Sequence, residues 1–221
     1  MATIRPASDR SLLVSFGEEI SAEAHESVAR LTRCLHGARG ILNLHPAYVS
    51  VLVDFDPRRH RHGEMEALIR ERWRAMEQAG APGLGGAPRT VTIPVCYGGD
   101  LGPDLEDVAR HAGLAPERVV ELHASAEYLV YFLGFSPGFP YLGGLPPELA
   151  TPRLETPRTR APAGSVAIGG SQTGIYPVES PGGWRIIGRT PARLFDPQSS
   201  PPALLAMGDR VRFVPIPEAR F

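Results

Sequence analysis

The densest group of residues that could recognise a small molecule is LGFSPGFPYLGGLP, residues 133–146. Proline fixes φ and glycine permits close backbone approach, so this loop can hold Phe135, Phe139 and Tyr141 in a fixed array around Gly138 at low entropic cost. Two uses fit such an array, the walls of a ligand cleft or the plug of a barrel end. Aromatic rings are costly to leave in water, which favours a cleft that a ligand or partner covers. GFSPG also matches the GxSxG spacing of a hydrolase nucleophile elbow, but the chemistry fails. Pro137 follows Ser136 and has no N–H for an oxyanion hole, and no helix signal comes after it.

A second group lies in GSVAIGGSQTGIYPVESPGGWRIIGRTP, residues 164–191. Gly169, Gly170 and Gly174 bracket Ser171, Gln172 and Thr173, with Tyr176 just beyond. Amide and hydroxyl side chains beside open backbone N–H groups suit an amide or carboxylate ligand. Upstream, TPRLETPRTRAP sets Arg153, Arg158 and Arg160 on an extended Pro-rich arm, suited to carboxylate or phosphate recognition, or else to solvation. His123 ends a predicted helix just before the strand leading to the aromatic loop, where it could transfer protons or simply cap the helix. His60 and His62 in RHRHG have no carboxylate or Cys at ligand spacing and read as solvent-facing.

Composition narrows the chemistry further. All 23 basic residues are Arg, which removes the Lys of a Walker A loop, of a Schiff-base enzyme and of a biotin carrier. A net charge of −1 gives no positive footprint for a nucleic-acid backbone. Cys34 and Cys96 lie far apart without CxxC spacing, so neither a disulfide framework nor a metal site is expected, and each reads as a small buried apolar residue. No long apolar run or leader pattern appears, and the expected location is the cytoplasm.

The elements that must position these groups fall into two parts. Residues 1–80 read as strand, helix, strand, strand, helix. SLLVSFG forms the strand; Ser21 caps a helix with Ala24, Val28, Leu31 and Leu35 on one face, and Gly37 stops it. The run 40–57 breaks at 45–48 into two strands, and Met65, Leu68, Ile69, Trp73 and Met76 mark the second helix. Two helices on one face of an antiparallel sheet make a ferredoxin-like α/β sandwich. Residues 81–89, within a Gly- and Pro-rich stretch, read as a linker. In residues 90–221, TVTIPV is a strand, short helices open near Asp104 and Pro116, and EYLVYFLG, GSVAIGG, GGWRIIG and GDRVRFVPI are strands between Gly- and Pro-rich loops. That pattern points to a β-barrel or sandwich, so the fold class is α+β.

FLGFSPGFPYLGGLP (132–146) together with PAGSVAIGGSQTGIYPVESPGGWRIIGRTPARLFDP (162–197) resembles the signature of the KipI and allophanate hydrolase subunit 1 family, which includes the B-type subunits of 5-oxoprolinase. The likeness extends upstream through 97–123. The resemblance implies a ferredoxin-like N-terminal domain followed by a cyclophilin-like β-barrel. It implies a subunit of an ATP-dependent 5-oxoprolinase, which opens 5-oxo-L-proline to glutamate with ATP used by the complex and no metal or covalent cofactor on this chain. The implied partners are a homologous cyclophilin-like subunit and a lactam-utilisation-type subunit. Relatives imply two alternatives, the carboxyltransferase half of a biotin-dependent urea or amide carboxylase and a histidine-kinase inhibitor. In the carboxylase case, the Lys-free chain would receive its carboxyl group from another chain's biotin.

Overall fold

A computed structural model describes residues 2–79 and 89–221, and the chain divides into two compact units, 1–87 and 88–221. Apart from Arg89, the expected linker lies outside the described residues.

The first unit runs β1 (Thr3–Ser8), β2 (Ser11–Ser15), α1 (Ala22–Leu35), β3 (Ile41–Pro46), β4 (Ser50–Phe55) and α2 (His62–Gln78). It has one strand more than the sequence pattern separates: a tight turn after Ser8 folds the N-terminal run back on itself, so β1 pairs antiparallel with β2. The sheet order is β1-β2-β4-β3, antiparallel throughout. Alternation sends Leu12 and Val14 of β2 and Val51, Val53 and Phe55 of β4 to one face, where both helices pack. The Ser21 hydroxyl accepts from Ala24 N–H at 3.1 Å and caps α1, whose Ala24, Val28, Leu31 and Leu35 are buried as their spacing predicts. Met65 and Ile69 supply the buried row of α2. His62 differs from its expectation: it is half-buried, edge-on to Phe55 and hydrogen-bonded to the Ser8 carbonyl at 2.8 Å.

The second unit begins with β5 (Thr90–Tyr97), α3 (Leu105–Ala112) and α4 (Pro116–Ser125) and continues as strands. These are β6 (Glu127–Leu133), β7 (Pro140–Gly143), β8 (Arg158–Ala161), β9 (Ser165–Gly169), β10 (Gln172–Ile175), β11 (Ser180–Gly182), β12 (Arg185–Arg189) and β13 (Arg210–Pro215). Seven close into a barrel in the order β10-β7-β6-β13-β5-β12-β9, with β9 paired back to β10; β8 and β11 form a separate ribbon. All barrel pairs are antiparallel except β5 with β13. Every barrel strand contributes an inward side chain to one core: Ile93, Val130, Leu142, Val166, Ile175, Ile187 and Phe213. Leu105, Val108 and Val119 bring α3 and α4 onto it. The four long runs read as strands are strands; β7, β8, β10 and β11 are short pieces within segments that read as loops, because Gly and Pro mask their alternation. Asp104 precedes α3 as expected but does not cap it. Its carboxylate accepts from Ile186 N–H at 2.6 Å and from Arg158, tying the helix start to β12.

Candidate functional site

The wall formed by β7, β10, β9 and β12 separates two aromatic clusters. On its inner side, Thr173 points into the barrel; on its outer side, Gly174, Ala167 and Ile186 floor a cluster of Phe139, Tyr176 and Trp184. The period-2 alternation of β10 therefore assigns adjacent residues to different chemistry.

The outer cluster is open. Phe135, Phe139, Tyr141, Arg153, Tyr176 and Trp184, with Gly182 and Gly183, line a cleft of about 110 Å³. Its rings meet edge to face: Phe139 lies 5.3 Å from Tyr176 and 5.6 Å from Trp184 by ring centroids, and Phe135 lies 5.5 Å from Phe139. Glycines make room for them. A Cβ on Gly169 would sit 2.5 Å from the Trp184 ring, and one on Gly182 would sit 2.3 Å from the Tyr176 hydroxyl. The loop between β6 and β7 is a tight turn held by Gly134 N–H to Phe139 O (3.1 Å) and Phe139 N–H to Ser136 O (3.0 Å). It leaves Phe135 at φ 66°, in the left-handed region, and 64% exposed at the mouth. For a bulky residue that conformation costs roughly 1–3 kcal/mol, and such strain gathers at ligand-binding positions. Phe139 is only 2% exposed. The loop plugs no barrel end: Phe135 stands at the rim of the cleft, and Phe139 is packed into its wall outside the barrel core.

Arg153 is held by its neighbours on both sides. Thr151 exchanges backbone hydrogen bonds with Gly170 at 3.1 and 2.8 Å, and Leu154 N–H donates to Gly183 O at 2.7 Å. Between these anchors the guanidinium lies 5.5 Å from the centre of the Trp184 ring, a cation–π placement. Burial raises the pKa of both Tyr141 and Tyr176, and the charge of Arg153 opposes that rise at each. The phenols are therefore neutral groups close to the positive charge of Arg153.

Of the other expected residues, none lines this cleft, although Gly169 lies directly behind the Trp184 ring. Arg158 pairs with the buried Asp104, and Arg160 makes two hydrogen bonds to Glu179 at 2.9 and 2.8 Å. Both arginines are taken up by carboxylates of their own chain. Gly169, Gly170 and Gln172 form the tight turn of the β9–β10 hairpin, where Gly170 takes φ 65° and its N–H is given to Thr151 O. The segment is a hairpin turn whose Gly170 N–H is already used within the chain. Gly138, at φ 83°, packs against residues 194–195, where a Cβ would lie 2.8 Å from the Phe195 Cβ. Thr173 is fully buried.

His123 is sealed in the barrel interior with 0% exposure, stacked 4.7 Å from Phe213. Its Nδ1 lies 2.8 Å from the Tyr97 hydroxyl, its Nε2 lies 3.0 Å from Thr173 Oγ1, and that hydroxyl donates to Ala167 O at 2.9 Å. One arrangement satisfies every atom: Tyr97 O–H donates to Nδ1, and Nε2–H donates to Thr173. Desolvation lowers the His123 pKa to about 3, which keeps the ring neutral. The expected proton-transfer role fails on two physical grounds, lack of access and lack of an open nitrogen. Trp184 is the cleft residue that the sequence patterns did not single out. Its signal is the Gly182-Gly183-Trp184 step, small residues set beside the largest ring.

Among the described residues, no group of three His, Cys, Asp or Glu side chains converges as metal ligands do, and no helix is long and apolar enough to cross a membrane.

Comparison with known proteins agrees with this architecture. Residues 2–205 match the family model described as carboxyltransferase domain, subdomain C and D. A protein of Bacillus subtilis named as the B-type subunit of 5-oxoprolinase is 42% identical, covering 97% of this chain and 93% of its own length. One of the same name from Haemophilus influenzae is 40% identical, covering 96% of each. Among solved structures, TTHA0988 superposes with a TM-score of 0.81 at 41% identity over 94% of this chain, which spans 40% of that longer protein. The uncharacterized protein PH0987 of Pyrococcus horikoshii is 46% identical over 99% of both chains, with a TM-score of 0.59. The urea amidolyase of K. lactis shares the fold at 23% identity, with a TM-score of 0.79 over 99% of this chain and 15% of its own. A carboxyltransferase-domain model spanning nearly all of the chain, together with full-length relatives named as B-type 5-oxoprolinase subunits, places this protein in the carboxyltransferase subdomain C and D family.

Proposed function

We propose that this chain is a B-type subunit of an ATP-dependent 5-oxoprolinase, which opens 5-oxo-L-proline to L-glutamate. The observation that carries the reading is the 42% identity across 97% of the chain to a protein named as that subunit. ATP is consumed by the assembled complex, whose other members are a homologous cyclophilin-like subunit and a lactam-utilisation-type subunit. The second unit is the cyclophilin-like barrel in this reading. The first is a ferredoxin-like sandwich in which β1 occupies the sheet edge beside β2.

The chemistry of the cleft supports a binding role. Among the described residues its lining comprises aromatic rings, two neutral phenols and one guanidinium, and no carboxylate or imidazole to act as base. The isolated chain is therefore expected to be catalytically silent. The test is glutamate release from 5-oxo-L-proline and ATP, with the chain alone and with the subunits encoded beside it. Turnover confined to the full complex supports the reading, and a fully assembled complex that releases no glutamate refutes it.

A carboxyltransferase half-site is the second reading. It is favoured by a 30% identical match over 42% of this chain to a putative urea carboxylase of Emericella nidulans, although that match spans only 8% of the fungal protein. Biotin-dependent carboxyl transfer to an amide by the same complex, without ATP-driven lactam opening, would select it.

A further inference from the structure

We propose that the aromatic cleft is a subsite for a small planar carboxylate, with Arg153 as its anchor and the Phe139 and Trp184 rings as its walls, and that ATP binds elsewhere in the complex. Naming that carboxylate 5-oxo-L-proline rests on the proposed function; the preference for a small anion does not.

Three observations carry the assignment. Of the three arginines on the Pro-rich arm, two are paired with carboxylates of this chain, whereas Arg153 has no carboxylate within 4 Å among the described residues. Exposed to solvent, it stands over Trp184 and lines the cleft, where its charge opposes the upward pKa shift of both Tyr141 and Tyr176. The site is also preorganised. The backbone on either side of Arg153 is tied to Gly170 and Gly183, and Gly169, Gly174 and Gly182 let rings close where no Cβ would fit. A flat ring can lie on the apolar walls while a carboxylate meets the guanidinium, which presents paired donors in one plane.

Size supplies the exclusion. About 110 Å³ is below the roughly 300–1,000 Å³ of pockets that enclose drug-sized ligands. A triphosphate carries several charges, and this cleft is lined by one cation. On size and charge the cleft of this chain suits a compact monoanion better than a nucleotide.

The chain has two tryptophans, so Trp73→Phe leaves Trp184 as the sole tryptophan of this chain. This variant, alone and in the assembled complex, is titrated with 5-oxo-L-proline, with 2-pyrrolidinone as the same ring lacking its carboxylate, with benzoate, and with ATP. The expected result is a saturable Trp184 response to 5-oxo-L-proline, at least tenfold weaker binding of the neutral lactam, and, for the chain alone, no response to ATP. Arg153→Gln should weaken binding of the acid at least tenfold and leave the lactam unchanged, with Arg153→Lys restoring part of the loss. Equal binding of acid and lactam, an unaffected Arg153→Gln, or no response to either carboxylate in chain and complex would overturn the proposal. Failure of the functional reading looks different. A benzoate response that depends on Arg153, without one to 5-oxo-L-proline, keeps the anion subsite and removes the substrate. Glutamate release with an unchanged KM in Arg153→Gln keeps the enzyme and removes the subsite.

Discussion

Thr173 and Gly174 are neighbours in β10, yet they serve aromatic clusters built on opposite rules. Inside the barrel, Tyr97, His123, Tyr128 and Phe213 surround polar atoms that are all paired with one another: Tyr128 O–H donates to His123 O at 2.7 Å, and both imidazole nitrogens are taken. Outside, Phe139, Tyr176 and Trp184 are also buried against one another, but beside an arginine that no carboxylate among the described residues neutralises. The difference teaches that a titratable group in an aromatic setting is a functional candidate only where it is accessible or incompletely paired. A closed network stabilises, and an open one is available to bind.

The strongest way to break this comparison is to show that the outer cluster contributes nothing to the fold. Phe139→Ala should cost ~3–5 kcal/mol because its ring is buried against Tyr176 and Trp184, whereas Phe135→Ala at the exposed rim should change stability by no more than ~0.5 kcal/mol. Urea denaturation of both variants measures this. Equal losses would remove the distinction between wall and rim.

Acid titration tests the inner cluster. His123 has a folded pKa of about 3, below the unfolded value near 6.5, so the unfolded chain takes up its proton first and stability falls as pH drops through that window. From pH 7.5 to 5 this single group should remove about 2 kcal/mol, with further loss toward pH 3. Its contribution is fully present above pH 6.5. His123→Gln should flatten the slope between pH 7.5 and 5 in denaturation series, and an unchanged slope would show that the imidazole is not held neutral.

Pairing within that network can be probed one bond at a time. Tyr97→Phe leaves Nδ1 of a buried imidazole without its donor and should cost ~1–2 kcal/mol without impairing activity of the complex. A selective loss of kcat with stability intact would return His123 to the reaction.

The smallest effect has the opposite sign. Phe135→Gly relieves the left-handed backbone strain at the cleft mouth, partly offset by glycine's greater unfolded entropy, and should raise stability by up to ~1 kcal/mol. Binding in the cleft should weaken at the same time, as read by KM of the complex. A stability gain with unaltered binding would make the strained rim a packing accident.

Much of the fold is legible in the residues themselves. The Ser21 cap, the Ala24-Val28-Leu31-Leu35 row and the stop at Gly37 are local signals set by helix geometry, and the structure follows each of them. The long strands of the barrel likewise declare themselves through β-branched and aromatic runs. Rejection of Ser136 as a nucleophile also needed only the sequence, because Pro137 lacks an N–H in any fold. The 133–146 loop could be singled out from its aromatic, Gly and Pro content, but its joining to Tyr176 and Trp184 in one cleft is a result of the fold.

Tertiary structure decided the rest, because it depends on which side chains meet across long separations. Arg153, Arg158 and Arg160 are equivalent in sequence, and only the positions of Asp104 and Glu179 neutralise two of them. Whether Thr173 or Gly174 faces the barrel is set by strand register, since a one-residue slip exchanges the two faces. His123 is a helix-end histidine by sequence and a sealed, neutral one by burial, because the field around an imidazole is made by distant strands carrying Tyr97, Thr173 and Phe213. Residue types are local properties that a sequence states outright; charge balance and access are sums over neighbours, which exist only once the chain has closed.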